Sequence, residues 1–208
     1  MGLDVRVDRA GYVHRVGPYS LFHDFRHTVA QDLEHGEWGS RFPLLQNHSD
    51  CDGDYALKVV PAFQAELETI RRELAQVAYP ALLACRADGA ETVAWVGSNT
   101  VPLISSQQAD VYCTREGVLI RTGDLMLRYV RLWRESAATM GITRGGRTER
   151  IPAQVQDTVA TLFEVLDEPD VTLRHGTIPA DTVFGDVIAA LLGACKAALR
   201  SRGRIVYC

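Results

Sequence analysis

Three carboxylates, an imidazole and a thiol fall within nine residues: Asn47-His48-Ser49-Asp50-Cys51-Asp52-Gly53-Asp54-Tyr55. Such a group has the donors for a metal site, for acid–base work or for an anionic contact surface. Each option makes a demand on spacing. Asp50, Asp52 and Asp54 alternate as in a calcium loop, but that loop needs Gly at its sixth position and Glu at its twelfth. Counted from Asp50, those positions hold Tyr55 and Pro61. A zinc site from His48, Cys51 and a remote ligand lacks a second Cys or His at finger spacing. Ser49 adjoins His48, but no G-x-S-x-G frame surrounds it, so no nucleophile–base pair is legible.

A second constellation is His23-Asp24-Phe25-Arg26-His27. Histidines at i and i+4 share a helix face, as in zinc-protease helices. Here Asp24 stands where the longer Glu belongs, and both histidines flank an apolar stripe. The metal-hydrolase reading would gather His23, His27, His48, Asp50 and Asp52. The simpler reading makes the nine-residue stretch a turn. Asn and Asp bond to their own backbone, and Asp52-Gly53 marks a reversal. On this reading no residue is catalytic, and no cofactor or metal is expected.

The elements that hold these residues follow from periodicity. Leu3, Val5 and Val7 alternate with Asp4, Arg6 and Asp8, which predicts a half-buried strand. Ser20 to about His35 reads as a helix with Phe22, Phe25, Val29 and Leu33 on its buried stripe and Gly36 as its stop. A second helix is expected from about Leu57 to Ala78, burying Phe63, Leu67, Ile70 and Leu74. Hairpins are expected at 81–86 with 91–96, around Asp88-Gly89, and at 111–114 with 118–121. The stretch between them, 97–108, reads as loop. Asp124 to Met140 reads as a helix with Arg128, Arg131 and Arg134 on its outer face. The Gly- and Arg-rich stretch 141–150 reads as a mobile loop. A further helix starts at Pro152, a short strand covers Val171 to Arg174, and the last helix covers Val183 to Arg200. Arg204 to Cys208 reads as a closing strand that pairs with the first. The fold class expected is α+β, with about five helices packed on a small, mostly antiparallel sheet.

Composition sets the outer limits. At 208 residues with 47% apolar content, the chain suffices for one sizeable core, and 1–208 is read as a single domain. A net charge of −4 disfavours nucleic acid as a partner, because such binding rests on cationic residues. Five widely spaced cysteines without C-x-x-C suit reduced thiols, and hence a cytoplasmic location. The N-terminus has no apolar signal core, and no run is read as a membrane span.

Two segments resemble a family of immunity proteins from bacterial polymorphic-toxin systems. The first, residues 1–75, carries Gly17-Pro18-Tyr19 before Phe22 and Arg26, then Gly39-Ser40-Arg41-Phe42-Pro43, then His48-Ser49-Asp50-Cys51-Asp52-Gly53. The His-Ser-Asp-Cys-Asp-Gly string is its specific part. The second is the C-terminal helix and strand, 183–207. After the string the family tends to begin its helix with Ser-Pro and acids, where this chain has Ala56, Leu57 and Lys58. Residues 81–170 read as an insertion relative to that family. The resemblance implies a small cytoplasmic protein, without catalysis, that binds and occludes a cognate toxin. The acidic turn points to a basic toxin, with Trp38, His48, Asp50, Asp52 and Asp54 as the contact residues. Neither nucleic acid nor a membrane is expected as a partner.

Overall fold

Alternation of apolar and polar residues at both chain ends builds one sheet from sequence-distant strands. A computed structural model describes residues 2–48, 53–98, 101–136, 139–166 and 170–208. In chain order, β1 (Gly2–Val7) and β2 (Val13–Pro18) precede α1 (Tyr19–Thr28), which runs into a π-helical turn, Val29–Leu33. Then come α2 (Pro43–Gln46), β3 (Asp54–Tyr55) and α3 (Val60–Leu74). Strands β4 (Ala78–Cys85), β5 (Glu91–Val96), β6 (Ile104–Ser105), β7 (Asp110–Thr114) and β8 (Gly117–Thr122) follow. Next are β9 (Leu125–Tyr129), β10 (Arg131–Ser136), β11 (Thr139–Arg144) and β12 (Arg147–Arg150). A 3-10 turn, Ala153–Val155, leads into α4 (Gln156–Leu166), then β13 (Thr172–Pro179), α5 (Ala180–Ser201) and β14 (Ile205–Tyr207). The α+β reading holds, with the strands spread over three antiparallel sheets. The contacts divide the chain into two compact units, one of Met1–Val77 with Pro179–Cys208 and one of Ala78–Ile178.

The first unit has a four-stranded sheet in the order β2-β1-β14-β3. The expected pairing of the terminal strands is present, with Val5 opposite Tyr207 and Val7 opposite Ile205. Leu3, Val5 and Val7 are buried, as their alternation requires. Helix α5 packs across β1 and β2, and α3 packs on α5. Phe25, Phe63, Leu67, Ile70, Phe184, Val187 and Leu191 fill the space between them. Each such side chain contributes about 1.5–3 kcal/mol by leaving water. One correction concerns α5: at 22 residues it is long and apolar enough to cross a membrane by length and composition. In this unit its Phe184, Val187, Ile188, Leu191 and Cys195 are buried against the sheet and helices.

The second unit has a six-stranded sheet, β12-β11-β10-β13-β4-β5, and a four-stranded one, β6-β7-β8-β9. Both predicted hairpins form, β4 with β5 and β7 with β8. The region read as loop between them holds the short β6. Val111, Val118, Ile120, Leu132, Ile142, Val159, Leu162 and Leu173 belong to one buried cluster.

The helix expected over Asp124 to Met140 is not formed; β9, β10 and the start of β11 occupy it. Thr122 pairs with Leu125, so Gly123-Asp124 is a two-residue hairpin turn, and Gly123 has φ of +52°. Gly-Asp at such a turn outweighs the capping preference of Asp124. Leu127 and Tyr129 are buried while Met126 and Arg128 face out, a period of two rather than 3.6. Arg128, Arg131 and Arg134 therefore lie on two strands and form no helical face. The stretch read as a mobile loop is also ordered: β11 and β12 pair through Gly145-Gly146, both at positive φ.

Candidate functional site

The carbonyl end of α1 brings Arg26 into the first unit's interior. Arg26 is four residues after Phe22 and three before Val29, so it sits on the apolar stripe, and it is 5% exposed. Its guanidinium donates to the Gln46 carbonyl, and Gln46 Nε2 donates back to the Arg26 carbonyl at 2.8 Å. The Trp38 indole lies over it, 5.0 Å from guanidinium carbon to ring centroid. Trp38 Nε1 donates to the same Gln46 carbonyl at 2.8 Å. This cation–π and hydrogen-bond cluster fixes the end of α2, two residues before His48.

Glu34 organises the connection before α2. Its buried carboxylate accepts the backbone N–H groups of Gly39 at 3.0 Å and of Arg41 and Phe42 at 2.9 Å. Arg41 spans outward, donating to the Leu33 carbonyl at 2.6 Å and to Glu73 at 2.9 Å. Glu66 of α3 caps α2, accepting from the N–H groups of Leu44 and Leu45. Burial raises the Glu66 pKa, opposed by those two backbone donors.

On the other side, aromatic rings hold the residues that flank 49–52. His48 stacks on Tyr55 at 4.2 Å and lies 4.6 Å from the Tyr207 ring. Tyr55 stacks in turn on Phe63 at 4.2 Å and donates its hydroxyl to the Leu44 carbonyl at 2.6 Å. Burial pushes the Tyr55 phenol far above its ordinary value. Gly53 has φ of +105°, which strains any other residue, and a Cβ there would crowd His48 Cε1 at 3.0 Å. Its carbonyl accepts from Tyr207 N–H at 3.1 Å, joining the turn to β14. Asp54 is on the short edge strand β3, where Arg204 Nη1 donates to it at 2.6 Å while Arg204 Nε reaches Asp8 at 2.5 Å.

The result is an open hollow of 340 Å³ bounded by Pro43, Leu44, Asn47, His48, Asp54 and Tyr55. His48 and Asp54, both read as contact residues, line it. Trp38, the third such residue that is described, is not among the lining residues; its indole is bound to the Gln46 carbonyl and it remains 45% exposed. Asp50 and Asp52, with Ser49 and Cys51, lie outside the described residues. His23 and His27 do share a face of α1, with rings 6.4 Å apart, His23 exposed and His27 half-buried. Among the described residues, no three of His, Cys, Asp and Glu gather as metal ligands would. What can be placed of the hydrolase constellation is thus a histidine pair on one helix and His48 between two tyrosines.

Sequence reasoning passed over Glu34, Gln46 and Glu66, which hold the site's backbone. No local pattern marks them, because their partners are peptide groups 5 to 22 residues away. Arg26 was detectable: a charge at an apolar-stripe position needs a buried partner.

Apart from Arg204 and Tyr207, the residues that tie this loop together fall inside a region matched by a known family, Immunity protein 70, over residues 5–128. That is more than half of the 208-residue chain. The chain belongs to the Immunity protein 70 family. Membership makes it an immunity protein of a polymorphic toxin system, so it has a cognate toxin as its partner. Families of this kind are typically non-catalytic. The Immunity protein 70 match runs through the Trp38–Tyr55 site and on to residue 128, within the segment 81–170 read as an insertion; the C-terminal helix and strand fall outside it. No curated protein matches the chain, and no solved structure does either.

Proposed function

We propose that this immunity protein neutralises its toxin in the cytoplasm by binding and occluding it, with no chemistry of its own. The family match carries this reading. The site around the turn supports it in physical terms. Its backbone is held by Glu34, Glu66 and the Arg26–Trp38–Gln46 cluster, so little ordering entropy is lost when a partner docks. A 340 Å³ hollow with an imidazole wall and a carboxylate rim suits a basic side chain entering from a toxin surface. Trp38, His48, Asp50, Asp52 and Asp54 are the proposed contact residues, and the proposed toxin surface is basic.

The test is co-expression with the toxin domain encoded beside this chain, together with binding kinetics. Asp54→Ala removes both the rim charge and its Arg204 ion pair, whereas Arg204→Ala keeps the rim charge and removes the pairs to Asp54 and Asp8. A contact role predicts weaker protection from Asp54→Ala, Asp52→Lys and Trp38→Ala, and full protection from Arg204→Ala. Rim charges should act mainly on the association rate. Unchanged rates and full protection in every acid variant would place the contact surface away from this turn.

A further inference from the structure

The second unit has a hollow of 380 Å³, lined by Cys85, Arg86, Glu91, Arg131, Asp170 and Arg174 among others. Its floor is rigid sheet. Arg131 and Arg174 are cross-strand partners on β10 and β13, and Cys85 and Glu91 are partners on β4 and β5. Strand β13 neighbours β4, so these residues stand across four adjacent strands. Arg174 reaches over β4 to grip Glu91 in a fork, with Nη2 at 2.6 and 2.8 Å from its oxygens and Nε at 3.1 Å. Its remaining Nη1 donates to the His175 carbonyl. Cys85 Sγ donates to the same Glu91 at 3.2 Å, and Arg86 donates to Thr92 at 3.1 Å.

Arg131 is left over. It is exposed and directly opposite a second arginine, and among the described residues it makes no ion pair or side-chain hydrogen bond, acting only at longer range on Glu91, behind Arg174. Like charges directly opposite on a sheet are unfavourable. The one carboxylate within this row, Glu91, is already engaged by Arg174. Among the described residues the hollow holds one more guanidinium than carboxylate, since Asp170 and Glu91 face Arg86, Arg131 and Arg174. That excess matches a single carboxylate better than a phosphate, which carries nearly two charges at neutral pH.

We propose that this hollow is a carboxylate-binding site in which Arg131 receives an acidic side chain of the toxin. The proposal rests on the reading that the chain acts by binding its toxin. It adds a contact of opposite sign to the acidic turn, so the toxin surface is mixed in charge. Guanidinium groups bind planar carboxylates through paired N–H donors, which gives direction as well as attraction.

The experiment follows the arginine Nε–Hε signals by NMR while N-acetyl-glutamate amide is added. The glutamine analogue serves as neutral control and inorganic phosphate as the dianion. A saturable shift of Arg131 with the glutamate compound alone, lost in Arg131→Gln, is the expected result. Arg131→Gln should melt no lower than the wild type, because it relieves the opposed arginines. Arg131→Glu should weaken toxin binding by about tenfold or more. No saturation at millimolar glutamate compound, or tighter saturation by phosphate, overturns the site's assignment. Toxin binding by Arg131→Glu as tight as wild type overturns this inference alone. Failure of the wild-type chain to bind toxin overturns this and the proposed function together.

Discussion

Glu34 shows what one buried carboxylate does when it meets three peptide donors. It is 1% exposed and serves Gly39, Arg41 and Phe42 at once. Removing it leaves those N–H groups without their acceptor, two of them part-buried and that of Phe42 buried. Glu34→Ala should therefore cost about 3 kcal/mol in urea unfolding, with Glu34→Gln intermediate. A loss under about 1 kcal/mol would mean that the loop finds other acceptors. Asp110 is a surface counterpart. A hydrogen bond from Ser105 at 2.6 Å, then Arg121 at 2.8 Å, hold its pKa below the ordinary 3.8. A carboxylate with a lowered folded pKa adds stability above its unfolded value and loses it as pH falls through the folded one. Asp110→Asn should lower the melting temperature at neutral pH, and the gap should close as pH drops below 3.8. A gap that stays constant into strong acid would remove the ion pair from the account.

At the scale of elements, the legible parts were those with strong local periodicity. β1, α1, α3, α5 and the Asp88-Gly89 hairpin all declare themselves in apolar spacing or turn type. The region from 124 to 150 did not, because two competing signals share it. Leu125, Tyr129, Leu132 and Trp133 fit a helical stripe, while Gly123-Asp124 and Gly145-Gly146 demand reversals, and the reversals win. In the site, the cradle of Glu34, Gln46 and Glu66 was invisible for a different reason: it is built from side chain to backbone over separations of 5 to 22 residues. The β11–β12 turn offers a direct check. Gly145 and Gly146 have φ of +54° and +77°. Gly145→Ala or Gly146→Ala should each cost about 1 kcal/mol, and Asn at either position less, since Asn tolerates the left-handed region. Equal stability of the Ala and wild-type chains in thermal unfolding would refute a turn of this type.

For the molecule as a whole, the family match spans parts of both compact units, from β1 to the end of β9. Toxin recognition is therefore open to residues on either unit, and the two hollows carry opposite charge. In the proposed account both are contact surfaces: one rimmed by Asp54 and walled by His48, the other headed by Arg131. The claim that joins them is neutralisation by stoichiometric occlusion. Its most direct test is to titrate this chain into a fixed amount of the neighbouring toxin domain and follow toxin activity. Occlusion predicts a linear fall that reaches zero at about one equivalent for a tight complex, with the toxin recovered chemically intact on dissociation. Loss of all toxin activity at a small fraction of one equivalent, or recovery of a cleaved or modified toxin, would show turnover and contradict it.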